Sequence, residues 1–269
     1  MIKIKRLVEL DEIATIQKVE RQVWNMPPTP IHQTYTSSKN GGLVLGAYQN
    51  DELVGFQYSF PGFGDGKSYL CSHMLGILPE YQKSGLGREL KNVQKEFALK
   101  MGYSLIVWTF DPLESINAYL NLHKLKGIGA AYLENHYGMM TDSLNSGLPT
   151  DRILVEWWIR SDHVVKKDEH YELKGVTQLV ETKLDRNEFP IITKVNNFNR
   201  DQDIFLVPIP ESFQQIKSQQ PNLAAEWRFQ TRKWFQELYK YGYVAIDVMR
   251  NTAERVSYYV FKKRSNLAL

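Results

Sequence analysis

Two glycines and four polar residues cluster between residues 82 and 88, in the order Gln-Lys-Ser-Gly-Leu-Gly-Arg. Glycine leaves backbone N–H groups accessible and permits unusual φ angles, which a loop that binds phosphate groups requires. An apolar strand pattern precedes this segment and a helical pattern follows it, so the glycines lie where a helix begins. Unpaired N–H groups and the helix dipole favour anions at such a position. The spacing Gln82-x-x-Gly85-x-Gly87 therefore predicts a pyrophosphate-binding loop.

Other phosphate-binding motifs do not fit these residues. The spacing is neither the Gly-x-Gly-x-x-Gly of dinucleotide-binding folds nor a Gly-x-x-x-x-Gly-Lys-Ser/Thr element. A glycine pair can also form a simple strand-to-helix turn with no ligand. The glycine pair alone leaves both interpretations of the loop open.

The elements that position the loop are predicted from hydrophobic periodicity and from turn residues. Strands are expected at 2–7, 43–48, 53–58, 69–78, 104–108, 130–134 and 153–160, and helices at 9–24, 85–101 and 114–126. Residues 61–67 read as a glycine-rich loop and 135–150 as a turn-rich stretch. A polar linker at 161–172 leads to strands at 205–210, 244–250 and 255–261 and helices at 211–218 and 223–241. The pattern predicts an α/β protein with a domain at 1–160 and a smaller α/β unit at 161–269.

Composition and charge exclude several classes of protein. The 269 residues include 33 basic and 30 acidic side chains, and a net charge of +3 does not indicate a nucleic-acid-coating surface. The single cysteine, Cys71, excludes an intrachain disulfide framework. The N-terminus has no unbroken apolar run, and no stretch approaches the roughly 20 apolar residues of a membrane span. We expect a soluble, cytoplasmic protein without nucleic-acid or membrane partners. A basic face is predicted from lysines 91, 95, 100, 124 and 126.

The segment from Leu75 to Gly87, LGILPEYQKSGLG, resembles motif A of the GNAT (GCN5-related N-acetyltransferase-like) superfamily. The order of elements over about residues 1–160 is similar to the same superfamily. The resemblance implies a mixed, mostly antiparallel sheet flanked by helices. It also implies acetyl-CoA, or another acyl-CoA such as succinyl-CoA, as cofactor, and no metal.

The resemblance carries over to particular positions. The backbone of Leu75, Gly76 and Ile77 would pair with the pantetheine arm, and an N–H group there would polarise the thioester carbonyl. Asn117 would contact the pantetheine. The pyrophosphate would be held around the loop by Gln82, Lys83, Ser84, Gly85, Leu86, Gly87 and Arg88.

The catalytic acid departs from the family pattern. Gly127-Ile128 stands where many members have Gly-Phe, so His123 occupies the position of the tyrosine that protonates the departing thiolate. A register shifted by one residue would place Leu122 there instead and leave no acid. Imidazole suits that task near neutral pH, although a partly exposed structural histidine fits the same position. Tyr119, one turn earlier, is a second candidate. For the base that takes a proton from the acceptor amine we expect His73, which alternation places on one strand face with Cys71 and Leu75, although a structural core histidine fits the same position.

The acceptor side is predicted from a looser resemblance. Residues 138–158 resemble a group of larger GNAT proteins with an extra C-terminal unit, among them amino-acid N-succinyltransferases. Arg152 is then a candidate carboxylate clamp, and Glu156 a second substrate-binding residue, with an exposed strand face as its alternative. Arg228 and Arg232 could serve as clamps too, although solvated helix surface also explains them.

These observations predict direct transfer of an acetyl or succinyl group to the primary amine of a small metabolite, which includes amino acids. A regulatory module that binds acyl-CoA without catalysis is one alternative, and a protein N-acetyltransferase is another. A homodimer is compatible with the sequence.

Overall fold

The structure, a computed structural model, describes residues 1–138, 147–166, 176–196 and 198–269. Two compact units are present. The first consists of residues 1–108 and 158–160, and the second of residues 109–157 and 161–269. The predicted division into 1–160 and 161–269 stays a prediction. Parts of the predicted turn-rich stretch and of the predicted linker lie outside the described residues.

The first unit is a sheet with helices, built from the N-terminal 108 residues. Its elements are β1 (Lys3–Arg6), α1 (Leu10–Ala14), α2 (Ile16–Trp24), α3 (Ile31–Lys39), β2 (Leu43–Gln49), β3 (Glu52–Gly64), β4 (Lys67–Ile77), α4 (Leu86–Lys100) and β5 (Leu105–Phe110), which belongs to this unit up to Trp108. The strands follow the order β1-β2-β3-β4-β5 and are antiparallel except for β4 and β5. Asn50 and Asp51 both have positive φ and close the β2–β3 hairpin.

The second unit contains the extra C-terminal strands. Its elements are α5 (Ser115–Ala118), a π-helical segment (Tyr119–Lys124), β6 (Ile128–Leu133), β7 (Arg152–Trp158, which belongs to this unit up to Trp157), α6 (Asp162–Lys166), β8 (Thr177–Gln178), β9 (Val180–Leu184), β10 (Pro190–Val195), β11 (Ile204–Pro210), α7 (Phe213–Gln219), α8 (Pro221–Lys240), β12 (Tyr243–Asn251) and β13 (Val256–Lys263). Strands follow the order β7-β6-β12-β13-β11-β8, while β9 and β10 form a separate hairpin. Buried residues of α8 recur at helical spacing, and one of them, Phe235, packs edge-on against Tyr259 and Phe261.

The predicted fold class is confirmed, since the chain forms a mostly antiparallel sheet with helices. The glycine-rich loop predicted at 61–67 is wrong, because β3 and β4 stay paired from Gly55–Ile77 to Gly64–Lys67 and only Asp65 and Gly66 form the turn. The helix predicted at 9–24 is two helices, α1 and α2, which meet at Thr15. Helix α3 and strands β8 to β10 were not predicted. Among the described residues, no helix is long and apolar enough to cross a membrane.

Candidate active site

The loop between β4 and α4 has an unusual backbone shape. Lys83 has a φ of 62° and Gly85 a φ of 93°, and Gly85 directly precedes the first turn of α4. A Cβ atom at Gly85 would meet nothing within 4 Å. Glycine is therefore favoured at this position by the left-handed backbone angle and not by crowding.

Two side chains hold the loop against the end of β4. The Ser84 hydroxyl donates to the carbonyl of Tyr81 at 2.6 Å. The Gln82 Nε2 donates to the carbonyl of Ile77, the last residue of β4, at 3.0 Å. Both bonds are local, so the sequence itself shapes this loop before any ligand is present.

Several loop amides have no hydrogen-bond acceptor among the residues that the structure describes. The amide of Leu86 lies 3.4 Å from the Ser84 hydroxyl, which is a weak contact. Within the described ranges, the amides of Ser84, Gly85 and Gly87 have no acceptor. Since α4 has 15 residues, its dipole adds to the partial positive charge of these groups. The loop is exposed and can bind an anion.

Strand β4 has an open edge that leads into this loop. On one side it pairs with β3 along its whole length. On the other side it pairs with β5 only at Leu70–Ile106 and Cys71–Val107. Over residues 72–77, the described part of the first unit therefore provides no strand on that second side.

The backbone groups that face the open edge can be identified from one bond. Leu78 donates its amide to the carbonyl of Val54 at 3.0 Å, so Leu78 faces β3. Strand alternation then directs the N–H and C=O groups of Leu75 and Ile77 away from β3. The Ile77 carbonyl already accepts a hydrogen bond from Gln82 Nε2. The N–H and C=O groups of Leu75 and the N–H group of Ile77 can therefore pair with an extended ligand that contains amides.

Gly76, the third residue of this predicted group, has a packing role. It is buried, and an added Cβ would lie 2.6 Å from the Phe56 ring and 3.1 Å from the Trp24 ring. Any larger side chain would push these rings away from the strand. Gly76 thus allows β4 to lie flat against an aromatic pair whose centroids are 6.0 Å apart.

A β-bulge interrupts β4 at His73. Tyr58 pairs with Met74 and Ser59 pairs with Ser72, so His73 has no residue opposite it on β3. Bulges bend a strand and re-aim its side chains, and they are common beside active sites. The sequence pattern contains no sign of this extra residue.

The bulge corrects the predicted arrangement of side chains on β4. The His73 ring lies 5.4 Å from the Phe60 ring, and Phe60 pairs with Cys71, so these residues share a face. Leu75 pairs with Gln57, which alternation places on the opposite face, so its predicted position beside His73 is wrong. Although its side chain is exposed, neighbouring groups partly desolvate the imidazole and lower the pKa of His73. A neutral imidazole of this kind can accept a proton.

Glu20 of α2 is a buried carboxyl group near the bulge that sequence reasoning missed. It is 2% exposed, and burial raises its pKa above the ordinary value. Its Oε2 accepts the amide of Thr29 at 2.6 Å, and Oε1 has no partner among the described residues. The Thr29 hydroxyl in turn lies 3.5 Å from the sulfur of Met74, next to His73. In the sequence, Glu20 lies among polar residues of a predicted helix. Nothing there distinguishes it from a solvent-exposed surface residue.

Lys91 was predicted to belong to a basic face of α4, but the structure buries it. Its side chain is 3% exposed, with Nζ 2.9 Å from the Ser72 hydroxyl and 3.2 Å from Gln94 Oε1. The ammonium group also lies 3.4 Å from the centroid of the Trp108 ring. Burial lowers the pKa of Lys91 well below its ordinary value. This lysine belongs to the interior of the first unit, on the side of the sheet that α4 covers.

In the second unit, two of the predicted catalytic candidates are in contact. The rings of Tyr119 and His123 stack at 4.5 Å with an interplanar angle of 18°. Nδ1 of His123 lies 2.9 Å from Oδ1 of Asp247, whose side chain is 7% exposed, while the His123 side chain is 36% exposed. Sequence reasoning missed Asp247. The only signal was an acidic residue within the apolar run of β12, 124 residues further along the chain.

The predicted arginine clamps all have carboxylate partners within the second unit. Arg228 is 2% exposed and binds Asp111 through Nη1 at 2.9 Å and Nη2 at 2.5 Å, so solvated helix surface does not explain it. Arg152 lies 3.6 Å from the same carboxylate. Arg232 contacts Asp151 at 2.9 Å through both Nε and Nη2. A role for these arginines in binding a substrate carboxylate stays a prediction.

The remaining predicted residues lie at the surface or in a partly exposed ion pair. Asn117 is exposed on α5. Glu156 Oε2 accepts a hydrogen bond from Arg264 Nη2 at 2.7 Å. The substrate-binding role of Glu156 and the pantetheine contact of Asn117 also stay predictions.

The family model of the acetyltransferase (GNAT) family matches residues 8–123. Residues 8–123 are a GNAT acetyltransferase domain. The predicted resemblance to the GNAT superfamily is therefore confirmed over these residues, while the looser resemblance to the group that includes amino-acid N-succinyltransferases stays a prediction. The match ends at His123, so Asp247 and the strands around it lie outside the GNAT match. No curated protein matches the sequence.

Several solved structures described as acetyltransferases or putative acetyltransferases resemble part of this chain. The Escherichia coli ribosomal-protein-S18-alanine N-acetyltransferase is 18% identical, with a TM-score of 0.48 over 59% of this chain and 94% of its own. The yncA protein of Salmonella typhimurium, solved with acetyl-CoA, is 17% identical, with a TM-score of 0.48 over 64% and 97%. An aminoglycoside 6'-acetyltransferase type Ii is 18% identical, with a TM-score of 0.47 over 58% and 97%. Similarity at this level does not identify a substrate, and the assignment rests on the GNAT match.

Proposed function

We propose that this chain is an acyl-CoA-dependent N-acyltransferase that transfers an acetyl or succinyl group directly to the primary amine of a small metabolite, with amino acids among the candidates. One observation carries the proposal: the open edge of β4 leads directly into a loop in which the amides of Ser84, Gly85 and Gly87 have no acceptor among the described residues. Coenzyme A combines an extended arm that contains amides with a pyrophosphate. The open edge of β4 suits the amide-containing arm, and the loop that follows it suits the pyrophosphate.

The cofactor would be held by backbone groups more than by side chains. The amides of Ser84, Gly85 and Gly87 would donate to the pyrophosphate. The groups of Leu75 and the amide of Ile77 would pair with the pantetheine arm as an added strand does. When bound, the thioester supplies an activated acyl group. An outward amide on β4 beside its carbonyl would stabilise the negative charge that develops on that oxygen.

A base is needed because only a neutral amine attacks a carbonyl carbon. His73 is the first candidate, since its lowered pKa favours the neutral imidazole that can accept a proton. Glu20 is a second candidate, because burial raises its pKa toward the range where a carboxylate becomes an effective base. Replacing each residue in turn, His73 by Gln and Glu20 by Gln, separates the two, since only the loss of the true base lowers kcat while the affinity for CoA stays the same.

The proposal is tested by calorimetry and by turnover. Titration with acetyl-CoA, succinyl-CoA and CoA should give heat of binding with all three. Release of free CoA thiol is then followed with each thioester against a panel of amino acids, polyamines, aminoglycosides and peptides. The proposal requires release with at least one small amine.

Other outcomes would favour the alternatives. Turnover of peptides alone would indicate a protein N-acetyltransferase. Binding of thioesters without turnover of any amine would indicate a regulatory module. Absence of binding for every CoA compound would refute the assignment altogether. A cytoplasmic location and a homodimer stay predictions that fractionation and light scattering can test.

A further inference from the structure

We propose that Lys91 is a positioning residue, whose side chain holds strands β4 and β5 at the point where they separate and thereby aims the amides of β4 at the acyl-CoA. The inference rests on the proposed function and names a further residue for the same site. All the residues that carry it belong to the first unit.

The point of separation follows from the strand register. The last pair between β4 and β5 is Cys71–Val107. Ser72 of β4 and Trp108 of β5 are the first residues beyond that pair, and together they define a fork in the sheet. The open edge of β4, over residues 72–77, begins at this fork.

Lys91 contacts both residues of the fork. Its Nζ lies 2.9 Å from the Ser72 hydroxyl and 3.4 Å from the centroid of the Trp108 ring. Because Lys91 belongs to α4, one side chain of this helix connects the two strands where they diverge. The side chain is 3% exposed, so these contacts are shielded from water.

A buried polar layer fixes the Lys91 amine in place. Gln94, one turn further along α4, accepts from Nζ at 3.2 Å and donates through Nε2 to the Ser59 hydroxyl at 2.8 Å. Ser59 is the β3 partner of Ser72, and Gln57 Nε2 donates to both hydroxyls, at 2.5 Å and 3.3 Å. The layer therefore ties α4 to β3 and β4, and Lys91 extends it to β5.

The contacts of Lys91 do not depend on its charge. Burial lowers the pKa of Lys91, but a neutral amine still carries N–H groups that can donate to the Ser72 hydroxyl and face the Trp108 ring. The position of the amine, and not its charge, connects the two strands.

Ser72 directly precedes the bulge at His73, so its orientation affects the rest of the open edge. A bulge disrupts the ladder locally and bends the strand. Leu75 lies three residues beyond Ser72, about 10 Å along the strand, so a rotation of about 6° at the fork would displace its amide by about 1 Å. A misplacement of about 1 Å can lower a reaction rate about 100-fold. Lys91 thus acts on the thioester through Ser72 and the backbone of β4.

The first test observes the thioester carbonyl itself. Acetyl-CoA labelled with ¹³C at this carbon is bound to the protein without an acceptor amine. In the wild type, the carbonyl resonance should differ from that of free acetyl-CoA, because a β4 amide polarises the bond. In Lys91→Met the resonance should move back toward the free value. Methionine is unbranched and fills the space over Trp108 without offering a donor.

The second test is kinetic and uses the small amine that releases CoA thiol fastest in the turnover panel. Lys91→Met should lower kcat about 10- to 100-fold, as a misplaced group in an active site does. The calorimetric Kd for CoA should stay close to the wild-type value, since Lys91 does not belong to the loop. The Tm at pH 7 should not fall, because methionine avoids the cost of burying an amine. A lysine with a merely structural role would lose stability and kcat together.

Ser72→Ala removes the other side of the same contact, and it decides the proposal if Lys91→Met does not fold. Its carbonyl resonance should also move toward the free value, and its kcat should fall. The double variant should be no slower than the slower single variant, because both substitutions act through one hydrogen bond.

Lys100→Met is the matched control. It makes the same substitution on the same helix, but Lys100 is exposed in the last turn of α4. Its carbonyl resonance and its kcat should equal those of the wild type. An equal loss in Lys100→Met would show that the charge of α4, and not the fork, is responsible.

Other outcomes would also overturn the inference. A wild-type carbonyl resonance or a wild-type kcat in folded Lys91→Met or Ser72→Ala would remove the role of the fork contact while leaving the acyltransferase intact. A bound resonance equal to that of free acetyl-CoA in the wild type would show that no β4 amide polarises the thioester. Absence of CoA binding would instead show that the proposed function itself is wrong, and the inference would fall with it.

Discussion

Gly85 offers the sharpest test of the CoA loop, because the chain contains a matched glycine at the other end of the same helix. Gly85 has a φ of +93° before α4, and Gly102 has a φ of +91° after it. Neither would place a Cβ within 4 Å of another atom. An L-residue at either position thus suffers the same backbone strain, of about 1–2 kcal/mol, without a steric clash.

The effects on binding should differ strongly. A Glu carboxylate at position 85 that comes within about 5 Å of a bound phosphate adds about 3 kcal/mol of repulsion for each pair of unit charges, at an effective dielectric constant of about 20. Since about 1.4 kcal/mol corresponds to a tenfold change in Kd, Gly85→Glu should weaken CoA binding at least about 100-fold. Gly85→Gln has the same shape without the charge and should weaken binding much less. Gly102→Glu should leave the Kd unchanged.

The assay combines calorimetry with thermal unfolding. Each variant is titrated with CoA at two salt concentrations, and its Tm is recorded without ligand. The three variants should lose similar stability, about 2–4 °C in Tm for each kcal/mol of strain. A Glu at position 85 gains a little from the helix dipole, whereas a Glu at position 102 loses a little, so unfolding cannot explain a selective loss of binding at position 85. Equal Kd values for Gly85→Glu and Gly102→Glu would refute the assignment of the loop.

Three further predictions concern buried charges. Because burial lowers the pKa of Lys91, the unfolded chain binds the proton more tightly, and stability should rise with pH between the lowered value and about 10.4, by at most about 1.4 kcal/mol per pH unit. Urea unfolding at pH 7 and pH 9.5 should show this rise in the wild type, and Lys91→Met should abolish its share of it. Burial raises the pKa of Glu20, so the folded chain binds that proton more tightly and loses stability as pH rises from about 4.3 to the raised value. Glu20→Gln should therefore raise the Tm at pH 7 but not at pH 3, and a gain of equal size at both values would contradict the shift. Arg228→Met should cost about 3–5 kcal/mol because it removes the bidentate cationic partner of the largely buried Asp111 carboxylate, from which Arg152 lies 3.6 Å away. Denaturant unfolding should show that adding Asp111→Asn recovers part of this loss, and a fully additive double variant would show that the pair is not coupled.

The local parts of the candidate site could be predicted from the sequence. The loop, its two glycines and the start of α4 depend on residues that are close together in the chain, and glycine at position 85 follows from one backbone angle. The β2–β3 hairpin was also predictable, because Asn50 and Asp51 tolerate the positive φ values that the turn needs. His123 and Tyr119 were predicted as alternative acid candidates on one helix face, and that spacing does bring their rings into contact.

The side chains that tune the site could not be predicted, because distant pairing decides their surroundings. The bulge at His73 exists only in the register of β4 against β3, and it inverts the alternation on which the predicted face of Leu75 rested. The sequence predicted Lys91 as a surface residue of a basic helix. In the structure its buried ammonium group donates a hydrogen bond to Ser72 and lies over the Trp108 ring.

What the sequence by itself determined, then, is the chemistry of the backbone: two glycines and a serine at a helix start, where short-range φ and ψ preferences direct amides toward an anion. Only the tertiary structure decided which side chains are buried, which form ion pairs and which nitrogen of His123 lies within hydrogen-bonding distance of Asp247. The physical reason is range. Backbone shape in a tight loop is set by neighbours a few residues away, whereas desolvation and ion pairing are set by groups that chain folding brings together from more than a hundred residues apart.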